Sequence, residues 1–218
     1  MTLSSNSSKN PKLRLAILIL AAGEGSRLGG YPKALLKKDG STMLKRLIHS
    51  TEGLEPVETL VVTGFYSDEI EAEIQSIQKS AKNPIAWTRN PSPEVGQSSS
   101  VRLGLESLQS DYDVLLIALC DQPNVGRQEI ESLLEQFNQR TPNQEIVLPV
   151  VNGQRGNPVL FSKEVIQRVL AIPGMVCRPY MDKNPELVKA FDTNNCAYTL
   201  DADTEDDIQK LGLDKIKP

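Results

Sequence analysis

The run LRLAILIL (13–20) constrains the fold more than any other stretch, because it is apolar at every position but one. A strand with one wet face alternates apolar and polar residues. A strand without alternation is buried on both faces, as in the middle of a mostly parallel sheet covered by helices on each side. DVLLIALCD (113–121) reads the same way. ETLVVTG (58–64), PIAWTRN (84–90), EIVLPV (145–150), NPVLF (157–161) and AYTL (197–200) are the other predicted strands.

Between them lie helical patterns. SDEIEAEIQSIQKS (67–80) offers Ser67 as an N-cap, acids in the first turn, and Ile70, Ile74 and Ile77 on one face. SSSVRLGLESL (98–108) aligns Val101, Leu105 and Leu108, and the next helix aligns Ile130, Leu133, Leu134 and Phe137. SKEVIQRVL (162–170) is capped by Ser162, and a last helix follows DADT (201–204). The β-α-β alternation predicts a Rossmann-like α/β fold: an open, mostly parallel sheet with helices on both faces. One domain is expected over 13–213, after a polar tail (1–12) expected to be disordered. The rhythm loosens over 152–195, which predicts a small lobe or extra strands beside the main sheet.

Charge and cysteine usage exclude several classes. With 24 basic against 28 acidic residues the net charge is −4, so no general basic field exists for a nucleic-acid backbone. Cys120, Cys177 and Cys196 are odd in number and form no CxxC pair, which argues against a zinc site or a disulfide framework. The longest apolar run (15–22) is far shorter than the roughly 20 residues of a membrane span. These features fit a cytoplasmic protein without a membrane partner.

The loop LAAGEGSRLGGYPK (20–33) holds four glycines, one arginine and one lysine at the carboxyl end of the first strand, where ligands of such sheets bind. Glycines let backbone N–H groups approach a polyphosphate, and Arg27 and Lys33 add charge-assisted bonds to its oxygens. Gly23 and Gly25 are also free to take positive φ. A P-loop is excluded, since Tyr31 stands where its lysine should follow Gly25 and Gly30. A dinucleotide loop is excluded too, since Leu28 replaces its third glycine after Gly23 and Gly25. Asp121 follows the second buried strand and can supply a hard carboxylate oxygen to Mg²⁺.

Leu-Ala-Ala-Gly-x-Gly-x-Arg-x-Gly-x-x-x-Lys resembles the signature loop of the MobA-like NTP-transferase family. NPSPEVGQSSSVRLGL (90–105), LCDQP (119–123), GQRGNPVLF (153–161) and LDADTEDDI (200–208) follow in the family's order. The set is most similar to the molybdenum cofactor cytidylyltransferases within that family and covers 15–211. The resemblance implies Mg²⁺-dependent attack on the α-phosphorus of a nucleoside triphosphate, with pyrophosphate leaving. It assigns Leu20, Ala21, Ala22, Gly23, Gly25, Ser26, Arg27 and Lys33 to the nucleotide, with Arg27, Lys33 and Asp121 as catalytic groups. Asn90, Gly96, Ser98 and Ser99 are expected at the base and ribose, although the serines also suit plain N-capping.

The resemblance makes Asp121 and Asp203 the metal ligands, while Thr204 and Asp207 have the spacing of a capping box. Its acceptor is a phosphate monoester, already anionic near neutral pH, so no general base is needed. The only histidine, His49, lies far from every motif. Ala22 stands where guanylyl-transferring members carry glycine, which favours CTP. Molybdopterin would meet Arg155, Gly156, Asn157 and Arg178 in an acceptor lobe over 152–195. There the chain departs from the family: Asn157 replaces a histidine, and PGMVCR (173–178) replaces Gly-Asp-x-Gly-Ala-Arg. A transient molybdoenzyme or chaperone partner is implied for the product. A transferase for a sugar phosphate or phospho-alcohol, and a non-catalytic CTP-binding protein, share the first loop and stay open.

Overall fold

A computed structural model describes residues 13–215; the polar tail expected over 1–12 lies outside the described residues. In chain order the strands are β1 (Leu15–Ala21), β2 (Lys37–Lys38), β3 (Ser41–Thr42), β4 (Glu58–Thr63), β5 (Ile85–Arg89), β6 (Val114–Leu119), β7 (Ile146–Val151), β8 (Gln154–Arg155), β9 (Val159–Ser162) and β10 (Val188–Asp192). The α-helices are α1 (Met43–Thr51), α2 (Ser67–Gln78), α3 (Gln97–Ser107), α4 (Arg127–Asn138), α5 (Lys163–Ala171), α6 (Cys177–Lys183) and α7 (Glu205–Leu211).

Eight strands form the main sheet in the order β10-β7-β9-β6-β1-β4-β5, with β8 paired to β7. β5, β4, β1 and β6 run parallel, and so do β7 and β10; only β9 and the short β8 run against their neighbours. β1 sits in the middle and is buried along its whole length. Its residues alternate between two cores. Ile17 and Ile19 face α1, α2 and α4, whereas Leu18 and Leu20 face α3, α5 and α6. The mostly parallel sheet with helices on both faces is therefore present.

Three local readings are corrected. Ser67 is not the N-cap of α2 but its first residue, and its hydroxyl donates back to Gly64 O at 2.7 Å. AYTL is not a strand: Tyr198 is buried against the core and the chain winds one 3₁₀ turn there (Cys196–Tyr198). The edge strand is instead β10, whose mixed polar sequence VKAFD lacks a buried strand's signature. The stretch 152–195 puts β9 inside the main sheet rather than beside it, because all four residues of β9 are buried between β6 and β7.

Candidate active site

The parallel strands β5, β4, β1 and β6 end at one edge of the sheet. The segments that follow them enclose a cleft of about 890 Å³, within the roughly 300–1,000 Å³ usual for small-molecule sites. The first loop supplies one wall: Leu20, Ala21, Ala22, Gly23, Gly25, Ser26, Arg27 and Lys33 all line the cleft.

The glycines in that loop have different causes. Gly25 turns the chain at φ 63°, and a methyl there would lie 2.0 Å from the Tyr31 carbonyl oxygen. Gly23 does not take the positive φ expected of it, since the turn comes only at Gly25. A methyl on Gly23 would meet nothing within 4 Å. Neither conformation nor packing requires glycine at 23, so bare backbone there faces open cleft. Leu28 anchors the loop, buried with Leu36, Met43, Ala202 and Ile208 in a small core of its own. Ala22 packs on Gly64, where an added methyl would come within 2.7 Å of the Ala22 methyl.

The opposite wall is acidic. Asp121 follows β6, and its carbonyl accepts a 2.7 Å bond from Ala202 N, which draws the returning chain alongside. Gln122 Nε2 donates to Tyr198 O at 2.9 Å and tightens the same junction. Asp203 is thereby brought beside Asp121. Lys33 Nζ donates to Asp121 Oδ2 at 3.0 Å and also to Asp203, while Arg27 donates to Asp203 Oδ2 at 2.9 Å. Arg27, Lys33, Asp121 and Asp203, far apart in sequence, form one ionic network. Burial alone would lower the Lys33 pKa, but the two carboxylates outweigh it and hold the amine above its ordinary value.

Asp201, which the sequence reading did not single out, also lines the cleft. Burial first, and then the charge of Asp121, push its carboxyl up to about 6. Its signal was the alternation D-A-D: Asp201 and Asp203 both line the cleft on either side of buried Ala202. Asp207 is spent as a cap. It accepts from Thr204 N at 2.9 Å and Asp203 N at 3.2 Å, closing the capping box at the start of α7.

The carboxylates fit a divalent cation. Asp121 Oδ1 is buried and has no hydrogen-bond partner. Asp203 shares the Lys33 ammonium with it. Among the described residues no three His, Cys, Asp or Glu side chains are grouped to hold a metal by themselves. Mg²⁺ suits such a site, since it is held by one or two carboxylates together with substrate phosphates.

The second loop differs from expectation. Gly96, Gln97 and Ser100 line the cleft with Pro93 and Glu94, whereas Asn90, Ser98 and Ser99 do not. The helix α3 begins at Gln97 rather than Ser98, so Gln97 and Ser100, three residues apart, share the cleft face. Asn90 is buried beneath the loop. Its amide donates to Ser99 Oγ and Ser100 Oγ at 2.9 Å each, and its carbonyl accepts from Ser92 N at 3.0 Å. Ser99 Oγ turns back onto Gly96 O at 2.8 Å.

The residues expected at the acceptor stand apart from this cleft. Arg155, exposed on β8, donates to Asp182 of α6 at 2.5 Å, and exposed Arg178 lies one turn earlier on that helix. Gly156 is needed for a close approach, since a methyl there would lie 2.5 Å from Tyr198 O. Asn157 N donates to that same carbonyl at 2.9 Å. Tyr198 O thus joins the 156–158 turn to Gln122, the neighbour of Asp121. His49, exposed in the last turn of α1, takes no part.

Sheet, loop and cleft define a protein of the nucleotidyltransferase fold. The whole-chain likenesses agree: Rv0371c of Mycobacterium tuberculosis superposes with a TM-score of 0.68 at 21% identity, covering 92% of this chain and 98% of that one. The same protein has been solved with manganese (TM-score 0.63, 20% identity, 91% and 97% covered). CMP:2-keto-3-deoxy-manno-octonic acid synthetase complexed with CTP superposes at 0.67 and 16% identity, with 91% and 96% covered. The model of the MobA-like NTP transferase domain matches residues 17–183, and the chain belongs to that family. In sequence it is similar to the bifunctional protein GlmU of Mycobacterium ulcerans, 30% identical over 122 residues, 55% of this chain. The matched part spans about a quarter of GlmU, at 25%.

Proposed function

We propose that the chain is a divalent-metal-dependent cytidylyltransferase that moves CMP from CTP to the phosphate of molybdenum cofactor and releases pyrophosphate. The observation that carries the transferase reading is the meeting of the glycine loop, Arg27 and Lys33 with Asp121 and Asp203 across one cleft. Asp121 and Asp203 would hold the metal, Mg²⁺, which when bound supplies positive charge to the phosphate oxygens. The backbone amides from Gly23 onward and the two cations take the charge that develops on the leaving pyrophosphate. They are preorganised for it: Leu28 fixes the loop and Asp203 orients both cations. Gly96, Gln97 and Ala22 take the base. Arg155 and Arg178 offer anion contacts to the acceptor, with Gly156 and Asn157 setting the turn between them and the cleft. The acceptor phosphate attacks as an anion, in keeping with a cleft without histidine. The reading places the protein in the cytoplasm, passing its product to a molybdoenzyme or chaperone.

A second reading, a sugar-acid or phosphorylated-sugar acceptor, is favoured by the likeness to the CMP-octonic acid synthetase and by the departures at Asn157 and 173–178. Pyrophosphate release measured for each triphosphate against each acceptor tests both. Release with CTP and molybdopterin is expected. Release only with a sugar acid or sugar phosphate moves the assignment to the second reading. CTP binding without release from any acceptor removes the enzyme.

A further inference from the structure

Phe65 lines the cleft, yet 42% of it is exposed. It is the first residue beyond Gly64, at the end of β4. Its backbone is fixed on both sides to the first loop. Phe65 N donates to Ala22 O at 3.4 Å, the missing side chain of Gly64 lets that loop approach, and Tyr66 Oη donates to Glu24 O at 2.9 Å. The backbone that carries this apolar ring is thus held in place at the cleft.

The order of strands along the cleft edge says what covers it. Asp121 follows β6, Ala22 follows β1 and Phe65 follows β4, so the ring stands two strands from the carboxylates, about 10 Å at the usual spacing. The charged groups at one end bind phosphate and metal. The far end holds Phe65 with Pro93, Gly96 and Gln97. A nucleotide bound with its phosphates at Lys33 directs its base toward that end. We propose that Phe65 is the stacking platform for the nucleobase, a role that rests on the transferase reading above.

Stacking is tolerant, because every base has a π face. Phe65 therefore supplies affinity common to all bases, and base choice is left to groups that meet the base edge at Ala22, Gly96 and Gln97. Dissociation constants of CTP, GTP and inorganic tripolyphosphate, each with Mg²⁺, test this on the full chain by titration calorimetry. Phe65→Ala is expected to weaken CTP and GTP alike by about 5- to 150-fold, the affinity equivalent of losing one base–aromatic stack. Tripolyphosphate, which has no base, is expected to bind unchanged, and Phe65→Tyr to restore CTP binding. Equal CTP binding by wild type and Phe65→Ala overturns the platform alone. So does an equal loss of tripolyphosphate, which would make Phe65 a support for the loop. A wild-type chain that binds no nucleoside triphosphate overturns the transferase reading and the platform with it.

Discussion

Lys33 has two sets of partners to serve. Its ammonium is held by Asp121 and Asp203, the same oxygens a divalent cation would use. The cleft carries five carboxylates against two cations, so it is acidic overall. A metal ion arriving alone must compete with Lys33, and a triphosphate arriving alone meets net negative charge. Arriving together, the phosphates give Lys33 a new partner as the metal takes its old ones. Lys33→Met is therefore expected to strengthen binding of Mn²⁺ in the absence of nucleotide, read by electron paramagnetic resonance, while turnover falls on the order of 10²-fold. Arg27→Ala, which touches only Asp203, should lower turnover to a similar degree with a smaller gain in free Mn²⁺ binding. The thermal melt of Arg27→Ala should stay near wild type, since Arg27 is exposed, whereas Lys33→Met should melt lower, because it leaves the part-buried Asp121 and Asp203 without their shared counter-charge.

At this scale the sequence was most legible where charge chemistry dictates residue type. Arg27, Lys33, Asp121 and Asp203 were named from spacing and family likeness and stand in one network. Ser98 and Ser99 stand off the cleft because successive residues of a helix are turned by about 100° and α3 presents Gln97 and Ser100 to it, and Asn90 because its amide is spent beneath the loop on Ser99 and Ser100. Phe65 was missed because a lone aromatic after a strand looks like ordinary core.

Elements explain how that network is held. The glycine loop and the Asp203 segment share no strand, yet Leu28 from one and Ala202 and Ile208 from the other meet in one small core. Leu28→Ala empties its centre. The expected cost is about 2–5 kcal/mol of stability, read as a shifted urea midpoint. Turnover at saturating substrate should drop as well, because the anchors of Arg27 and Asp203 loosen together; unaltered turnover in the folded variant would separate that core from the site. At the opposite end of the sheet, Arg14 clasps β1 to β6. It donates to both oxygens of Asp113, at 2.7 and 3.1 Å from the side chain and 2.8 Å from the backbone. Those bonds, led by the Arg14 side chain, hold the Asp113 carboxyl down at about 2. A depressed acid stabilises the fold above its unfolded pKa and loses that contribution as pH falls through the folded one. Asp113→Asn should thus melt below wild type at pH 7, with the gap closing between about pH 4 and pH 2.

The doubly apolar strands β1 and β6 and the amphipathic α2, α4 and α5 were legible because burial on two faces, or on one stripe, leaves a periodic mark. β10 was not, because an edge strand half in water can be written in mixed residues. AYTL misled for the converse reason: Ala197 and Tyr198 are buried to fill the core, the Tyr198 hydroxyl donating to Glu129 O, without belonging to a strand.

Across the whole molecule the site joins the two ends of the described chain. Lys33 and Asp203 are 170 residues apart, and the sheet between them serves to bring them together. A ligand that bridges loop and carboxylates cross-links these ends without touching β7, β10 or α5. Bound at about 100 times its dissociation constant it adds roughly 2.7 kcal/mol to stability, or some 5–10 °C in melting temperature for a chain of this size. Hydrogen exchange shows where that stabilisation falls. With CTP and Mg²⁺ the amides of 23–30 and those of 199–207 are expected to slow together, although they lie at opposite ends of the chain. Removing the metal with EDTA should release the second set while CTP at higher concentration still protects the first, because only the carboxylate segment depends on the cation. Amides of 154–157 should slow only when the acceptor is added, since that turn reaches the cleft through Tyr198 O rather than through nucleotide. Protection confined to 23–30, with metal present, would mean that Asp203 does not contribute to the metal–nucleotide site and that its contacts with Lys33 and Arg27 serve only to shape the empty loop.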